Sequence, residues 1–239
     1  MYAIEIENKK KDDRKKHEAV MNQSIIPAII PAVWGPRGRG AEISYTIVDS
    51  PFGRMLVAVT ARGICALSVH QSDEWQESEL RRDFREAAIA RDDDAARPAA
   101  QAVLGYLRGE TARCEVALDV SGTPFQLSVW RELCAIPEGA TRSYGEIAAR
   151  IGRPSAARAV GHANGSNPVS ILIPCHRAIG ANGKLTGYRW GLETKRKLLA
   201  FEQARTARAC ARPARSGDLA RLSSRRPHGD PNSRPSPVR

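Results

Sequence analysis

The stretch Thr141–Pro168 reads TRSYGEIAARIGRPSAARAVGHANGSNP, which is the pattern of two short helices joined by a tight turn. Ser143 and Glu146 have the S-x-x-E spacing of a capping box, in which both side chains bond free backbone N–H groups at a helix start. Gly152 suits the left-handed residue that ends this helix, and Ser155 is the predicted cap of the next one. Two helices around such a turn predict a helix-turn-helix.

The second predicted helix, which breaks at Asn164-Gly165, has an unusual surface because most of its side chains are small. Arg158 and His162 are its large polar residues, and the small ones are Ala156, Ala157, Ala159, Gly161 and Ala163. Such a helix can lie very close to a partner, and if the partner is DNA, Arg158 projects alone into the groove. The alternative is an Ala-rich core helix that only packs, and the pattern leaves both interpretations open.

Downstream of this helix pair, Ile171–Gly180 reads ILIPCHRAIG, which predicts a buried strand that stops at Pro174. Cys175 and His176 follow at once. A reactive cysteine needs a base or cation to form its thiolate. Successive side chains of a strand point to opposite faces, so the histidine is expected to reach the thiol through a bridging water, with a carboxylate orienting its ring. The alternative is an inert buried cysteine followed by a surface histidine.

Charge separates along the chain more than its total of +11 suggests. Residues 41–120 contain 9 basic and 14 acidic side chains, whereas residues 121–204 contain 11 and 5. The second half is therefore the better match for phosphates. Residues 1–40 have the composition of a loosely ordered arm. Residues 206–239 are rich in Arg, Pro and Ser with few large apolar groups, which predicts a disordered tail.

The remaining chain predicts an α/β (α+β) N-terminal domain over residues 41–120 with a small antiparallel sheet. A mainly helical, winged-helix-like domain with the helix-turn-helix follows over residues 121–205. In the first domain we expect strands in ISYTIVDS, GRMLVAVT, GICALSVH and CEVALDV, and helices over Asp73–Ala90 and Pro98–Leu107. In the second, Thr123, Pro124 and Gln126 have the form of a capped helix start.

Five cysteines at wide spacings, with no CxxC, argue against a disulfide framework and a thiolate zinc cluster. The charged N-terminus does not have the form of a secretory leader, and the apolar run Ile25–Trp34 is too short to span a bilayer. We therefore expect a cytoplasmic protein with free thiols, no membrane association and no bound metal.

Four segments resemble the O6-alkylguanine-DNA alkyltransferase family, also called methylated-DNA–protein-cysteine methyltransferases. They are SYGEIAARIG, AARAVGHA, ANGSNPVSILIPCHR and LTGYRWGLETKRKLLAFE, and the resemblance covers roughly residues 43–204. The GYRWG segment is similar to the alkyltransferase half of the bacterial adaptive-response protein Ada. The resemblance implies a monomer that binds double-stranded DNA and moves an alkyl group from O6 of guanine to its own cysteine, irreversibly and without a cofactor. O4-alkylthymine stays open as a second substrate.

The resemblance also implies catalytic roles. Cys175 matches the alkyl acceptor, His176 the histidine that acts on the thiol through a water, and Glu202 the carboxylate that orients this histidine. Asn167 matches the asparagine that braces the turn before the cysteine.

For DNA binding, the resemblance implies that Tyr144 helps rotate the nucleotide out and that Arg158 fills the vacated space. Ala157, Gly161 and Ser166 lie in the same DNA-binding segment. The implied substrate pocket consists of Tyr144, Cys175, Ala178 and Tyr188. Arg189 stands where some members have a small hydroxyl residue near the guanine oxygen, which predicts a different substrate range.

Three other classes compete with this interpretation. A noncatalytic binder of damaged DNA from the alkyltransferase-like proteins would carry another residue, commonly Trp, in place of Cys175. A plain helix-turn-helix regulator would need no reactive thiol. A cysteine hydrolase would turn over, and the sequence resembles none of the nucleophile motifs of that class.

Overall fold

The first half of the chain folds around a six-stranded mixed sheet with strand order β1-β6-β4-β3-β2-β5. The computed structural model describes residues 29–32 and 35–211. The strands are β1 (Ile29–Pro31), β2 (Glu42–Ser50), β3 (Gly53–Thr60), β4 (Gly63–His70), β5 (Ala88–Arg91) and β6 (Leu118–Val120).

The centre of this sheet is antiparallel, as expected, because two tight turns join β2 to β3 and β3 to β4. Gly63 begins β4 with φ of 150°, and a Cβ there would lie 2.3 Å from the carbonyl oxygen of Ala117. Only glycine fits so close an approach. The close approach brings β4 beside β6, which pairs with it in parallel.

Strand alternation gives the sheet two buried faces. Ile43, Tyr45 and Ile47 point to one face, where Leu80 and Phe84 cover them. Residues of the opposite face, among them Met55, Val57, Leu67 and Val69, pack against Val103 and Leu107. The covering helices are α1 (Asp73–Asp83) and α2 (Asp93–Leu107).

Three features of this half differ from the sequence prediction. Ile29–Pro31, within the predicted arm, forms β1 and pairs in parallel with β6. The helix predicted over Asp73–Ala90 ends at Asp83, because Ala88–Arg91 pairs with β2 as β5. Helix α2 begins before Pro98, because the Asp92 carboxylate caps two backbone N–H groups of its first turn.

The second half is mainly helical. Its elements are α3 (Pro124–Cys134), α4 (Tyr144–Arg150), α5 (Ala157–Gly165) and α6 (Leu192–Ala211), with two short paired strands, β7 (Arg142–Ser143) and β8 (Ala178–Ile179). Capping boxes start α3 and α4, as predicted. Ser155 does not cap α5: Ala156 occupies the cap position, and no side chain bonds the first N–H groups.

One continuous core joins the two halves. The indole N–H of Trp130 on α3 donates to the carbonyl of Ala163 on α5 at 2.8 Å. Leu67 on β4 donates its N–H to the Pro168 carbonyl and accepts from the N–H of Ser170, both at 2.9 Å. The sheet thus holds the chain that leaves α5 and leads to Cys175.

The first residues of the predicted tail, 206–211, are helical, because α6 continues to Ala211. Alternate alanines at 207, 209 and 211 favour the helix, and the Thr206 hydroxyl bonds the Glu202 carbonyl one turn earlier. The described residues up to Thr206 form one compact unit, and 207–211 continue the helix beyond it. Residues 1–28 and 33–34 of the predicted arm and 212–239 of the tail lie outside the described residues. Among the described helices, none is long and apolar enough to cross a bilayer.

Candidate active site

The segment before Cys175 is a compact turn and not the strand predicted from its apolar sequence. Ser170 is the last residue of the segment that bonds to β4. Beyond it, the N–H of Ile173 bonds back to the carbonyl of Val169 at 3.0 Å. Ile171 takes φ of 71°, a left-handed conformation that β-branched residues rarely adopt. Two prolines, Pro168 and Pro174, bound the segment and cannot donate to a sheet ladder.

Asn167 joins the two ends of this turn with its side chain. Its amide nitrogen donates to the carbonyl of Ile173 at 2.8 Å, and its oxygen accepts from the N–H of Val169 at 3.0 Å. The side chain is 2% exposed, so neither bond competes with bulk water. Asn167 thereby holds the turn that leads into Cys175 in one conformation.

Cys175–Arg177 form a single 3₁₀ turn in which all three side chains are buried. The Nε2 atom of His176 lies 2.7 Å from Oε1 of Glu202 on α6. The other ring nitrogen, Nδ1, is buried and has no hydrogen-bond partner among the described residues. A carboxylate on one side of an imidazole leaves the opposite nitrogen as the position for accepting a proton.

Arg177 completes a buried network around the same carboxylate. Its Nη2 donates to Oε1 of Glu202 at 2.8 Å, and its Nη1 donates to the Ile136 carbonyl. Burial alone would raise the pKa of Glu202, but the neighbouring His176 and Arg177 outweigh it and hold the pKa at about 2. Glu202 is therefore a carboxylate at any physiological pH.

The Cys175 thiol is neutral in the resting site. Burial raises its pKa, and the nearby Asn167, Tyr188 and Lys195 side chains offset this only in part. Cys175 is 3% exposed, and burial of this kind favours the protonated form of a thiol. The thiolate must therefore form during the reaction.

A cleft of about 410 Å³ opens above the thiol. This volume lies in the range of small-molecule sites and accommodates a nucleobase. The cleft has a wall from α5, a floor at the cysteine turn and an opposite wall from the loop before α6. The lining residues are Tyr144, Gly161, Asn164, Gly165, Asn167, Cys175, Thr186, Gly187, Tyr188, Arg189 and Trp190.

The structure brings three of the four predicted pocket residues to this cleft, namely Tyr144, Cys175 and Tyr188. Ala178 is not among the residues that line the cleft. It pairs with Arg142 in the small sheet, which turns its side chain into the core. The buried Tyr188 hydroxyl lies among Cys175 and Ser170, and burial raises its pKa well above the usual value.

Three of the predicted DNA-binding residues, Ala157, Arg158 and Gly161, lie on α5, and Ser166 directly follows it. Tyr144 begins α4, and it lines the cleft together with Gly161. Arg158 is exposed and has no ion-pair partner within the part of the chain that the structure describes. Ala157 is half-buried, and a Cβ added at Gly161 would meet nothing within 4 Å. Ser166 is exposed, and its hydroxyl accepts from Gln126 and donates to the Ala163 carbonyl. The helix thus offers a small-residue surface with one free cation.

Lys195 is a site residue that the sequence analysis missed. It is fully buried, and its Nζ donates to the carbonyls of Ala178 at 2.6 Å and Thr186 at 3.2 Å. Burial lowers its pKa, while the Cys175 sulfur opposes this. The spacing along α6 could have indicated its burial, because Lys195, Leu198 and Glu202 fall on one face of the helix.

Arg189 lines the cleft, but its charge is directed away from it. Its Nη2 pairs with Glu79 at 2.9 Å and Asp83 at 2.6 Å on α1, and its guanidinium stacks on Trp190. The four cysteines with described side chains, Cys175 among them, are free thiols. Within residues 29–32 and 35–211 no three His, Cys, Asp or Glu side chains are grouped to hold a metal ion. The expectation of a metal-free protein stays a prediction.

Two family models match consecutive parts of the chain, one in each half of this architecture. Residues 43–120 match the ribonuclease-like domain of 6-O-methylguanine DNA methyltransferase, and residues 124–204 match its DNA-binding domain. A methylated-DNA–protein-cysteine methyltransferase of Mycobacterium bovis is 44% identical over 163 residues, which span 68% of this chain and 94% of that protein. The chain belongs to the 6-O-methylguanine DNA methyltransferase family.

Other relatives of this methyltransferase family support the assignment. The regulatory protein Ada of Salmonella typhimurium is 40% identical over 165 residues, which are 69% of this chain but 47% of Ada. This confirms the predicted likeness to one half of Ada. The crystal structure of the Mycobacterium tuberculosis O6-methylguanine methyltransferase covers 75% of this chain and 99% of its own, with 41% identity and a TM-score of 0.58. A structure of that protein in complex with DNA matches 69% of this chain and 94% of its own, with 41% identity and a TM-score of 0.57.

Proposed function

We propose that this methyltransferase repairs DNA directly, by moving an alkyl group from O6 of guanine onto Cys175. The observation that carries the proposal is the buried thiol at the floor of a base-sized cleft, next in sequence to a histidine paired with Glu202 at 2.7 Å. The same cleft opens beside α5, the second helix of the helix-turn-helix. A nucleophile and a DNA-binding helix thus share one opening.

The reaction is a displacement at the alkyl carbon. The Cys175 thiol passes its proton, through a water, to Nδ1 of His176, and Glu202 stabilises the imidazolium that forms. The sulfur then bonds the alkyl carbon while the carbon–O6 bond breaks, and its electron pair goes to the guanine oxygen. The guanine takes up a proton from solvent and stays in the DNA as the normal base, while the His176 imidazolium returns its proton to solvent. Because a thioether does not revert, each chain acts once.

Access to the damaged base requires that it leave the duplex. Unstacking and unpairing a base costs roughly a few kcal/mol, which a side chain inserted into the gap offsets. Arg158 is the exposed cation at the start of α5 and takes this place, while Tyr144 at the cleft mouth turns the nucleotide inward. The small residues of α5 suit an approach through the minor groove without sequence readout.

The chain works as a monomer in the cytoplasm. The cleft, the thiol and the histidine–glutamate pair all come from one chain. A reducing compartment keeps Cys175 in the thiol form that the reaction consumes. Neither a cofactor nor a metal is needed, because the sulfur itself receives the alkyl group.

The rival classes differ in what happens to Cys175. A noncatalytic binder or a transcriptional regulator would leave the thiol unmodified, and a hydrolase would regenerate it. The test incubates the protein with duplex DNA containing O6-methylguanine and counts the guanines restored per chain. We expect one guanine per chain, abolished by Cys175→Ser and retained by Cys134→Ser, the matched change of a buried core thiol. More than one per chain, or activity in Cys175→Ser, contradicts the proposal.

A further inference from the structure

One wall of the cleft is a segment with little regular structure of its own. Residues 186–190, which we call the wall segment, face α5 across the cleft. Residues 184–188 form neither helix nor strand, and Thr186 and Gly187 are exposed. Side-chain contacts from outside the segment therefore set the position of this wall.

The wall segment is fastened at both ends, but to different halves of the molecule. At its start, the Thr186 hydroxyl donates to the Tyr144 hydroxyl at 3.2 Å, and Lys195 donates to the Thr186 carbonyl. At its end, Arg189 pairs with Glu79 and Asp83 of α1, in the first half. Trp190 adds an edge-to-face contact with Trp75 of the same helix, with ring centroids 5.7 Å apart.

The pairing with α1 is strong for a contact near the surface. Glu79 and Asp83 stand four residues apart on one helix face, where two carboxylates repel each other. The Arg189 guanidinium donates to both at hydrogen-bond distance and is 18% exposed, against 12% for Glu79. Burial alone would lower the pKa of Arg189, but the hydrogen bonds and negative charges of Glu79 and Asp83 outweigh it and raise the pKa. Arg189 therefore stays protonated. Charge-assisted bonds of this kind are the stronger class.

We propose that Glu79 and Asp83, acting through Arg189, position the wall segment and so set the width of the slot for the flipped base. Neither carboxylate lines the cleft, so both are positioning residues that act from the first domain without touching substrate. The inference rests on the alkyl-transfer function proposed above. It gives the N-terminal domain a part in substrate handling.

The position of this wall matters because the base lies between it and α5. The alkyl carbon must sit in line with the Cys175 sulfur, and a misplacement of about 1 Å can slow a reaction up to ~100-fold. A loosened wall leaves the pairing of His176 and Arg177 with Glu202 intact, since these contacts come from the cysteine turn and α6. The base would be held loosely while the histidine–glutamate pair that takes up the thiol proton is unchanged.

The experiment measures single-turnover methyl transfer from an O6-methylguanine duplex at saturating protein. We expect the double variant Glu79→Gln/Asp83→Asn to react about 10-fold more slowly than the wild type. Arg189→Ala should show a similar loss, Arg189→Lys an intermediate one, and the triple variant no more than Arg189→Ala, because all act through one contact. Glu74→Gln, an exposed carboxylate of the same helix, is the matched control and should be neutral.

A second readout separates positioning of the base from damage to the site. Alkylation of Cys175 by iodoacetamide needs no base slot, so its rate should fall far less than the methyl-transfer rate in every variant. An unchanged transfer rate in the double variant overturns the inference. So does an equal slowing of iodoacetamide labelling, or a triple variant whose losses add. A wild-type protein that transfers no methyl group overturns the proposed function and the inference with it.

Discussion

Ile171 takes a strained backbone conformation in the turn that positions the Cys175 sulfur. A left-handed β-branched residue costs on the order of 1–3 kcal/mol, and such strain persists only where neighbours enforce it. Here the Asn167 side chain bonds both ends of the turn, and the bonds of Leu67 to Pro168 and Ser170 hold its start on the sheet. The apolar sequence ILIP predicted a strand because it carries no signal for these nonlocal bonds.

Glu202 gives the site a pH-dependent contribution to stability. Its pKa of about 2, against 4.5 ordinarily, corresponds to roughly 3 kcal/mol. Because the folded pKa is depressed, this stabilisation is present above pH 4.5 and is lost as the pH falls toward 2. We expect Glu202→Gln to lower the free energy of unfolding by about that amount at pH 7, with the difference from wild type shrinking below pH 4.5. Denaturant titrations across this pH range measure it, and a pH-independent difference contradicts the assignment.

Arg158 should matter for duplex DNA more than for the chemistry. We expect Arg158→Ala to slow repair in a duplex about 10-fold, because nothing then replaces the extruded base, with a smaller loss on the free alkylated base. Arg131→Ala removes an exposed arginine from α3 and controls for charge. Single-turnover rates on the two substrates provide the comparison. Equal losses on both substrates remove the stacking role.

At the level of elements, local signals predicted helix starts better than helix lengths. The capping boxes of α3 and α4 and the stop at Gly152, with φ of 73°, are formed as predicted because all their partners lie within a few residues. Helix α1 was predicted too long because β5 depends on pairing with β2, some 45 residues earlier in the chain. Patterns within a segment cannot show such partners.

The two serines of the helix-turn-helix make a direct comparison. The Ser143 hydroxyl accepts from the N–H of Glu146 at 3.2 Å, whereas Ser155 bonds no N–H of α5. We expect Ser143→Ala to reduce the free energy of unfolding by about 1 kcal/mol. Ser155→Ala should change it by less than about 0.5 kcal/mol. Chemical denaturation of the two variants measures these changes. A larger loss of stability for Ser155→Ala than for Ser143→Ala would show that the assigned caps are wrong.

Over the whole molecule, the first half carries an excess of acidic side chains and the second half an excess of basic ones. Residues 121–204 carry the basic excess and include the match to the family's DNA-binding domain, and 212–239 add seven arginines against two aspartates. We expect truncation after Ala211 to leave methyl transfer intact, while DNA affinity weakens and its salt dependence becomes shallower as phosphate contacts are lost. Transfer rates and binding at several salt concentrations test this. Loss of transfer in a folded truncation would contradict it.

The site itself was predictable to the extent that its residues are close in sequence or match a known family. Cys175, His176 and Glu202 fall into this group. The contacts of Arg189 with Glu79 and Asp83 span 110 and 106 residues, and no local pattern in the sequence indicates them. Buried Lys195 was missed because a lysine between charged neighbours resembles a solvated helix face. Ion pairs between distant residues and the burial of a charged side chain therefore could not be predicted from the sequence.

The central claim is that Cys175 itself keeps the alkyl group. Intact-mass analysis after incubation with excess O6-methylguanine DNA, followed by peptide mapping, tests it most directly. The account predicts one added methyl group per chain, located on Cys175, and none in Cys175→Ser. An unmodified protein beside repaired DNA, or a methyl group on another residue, would contradict it.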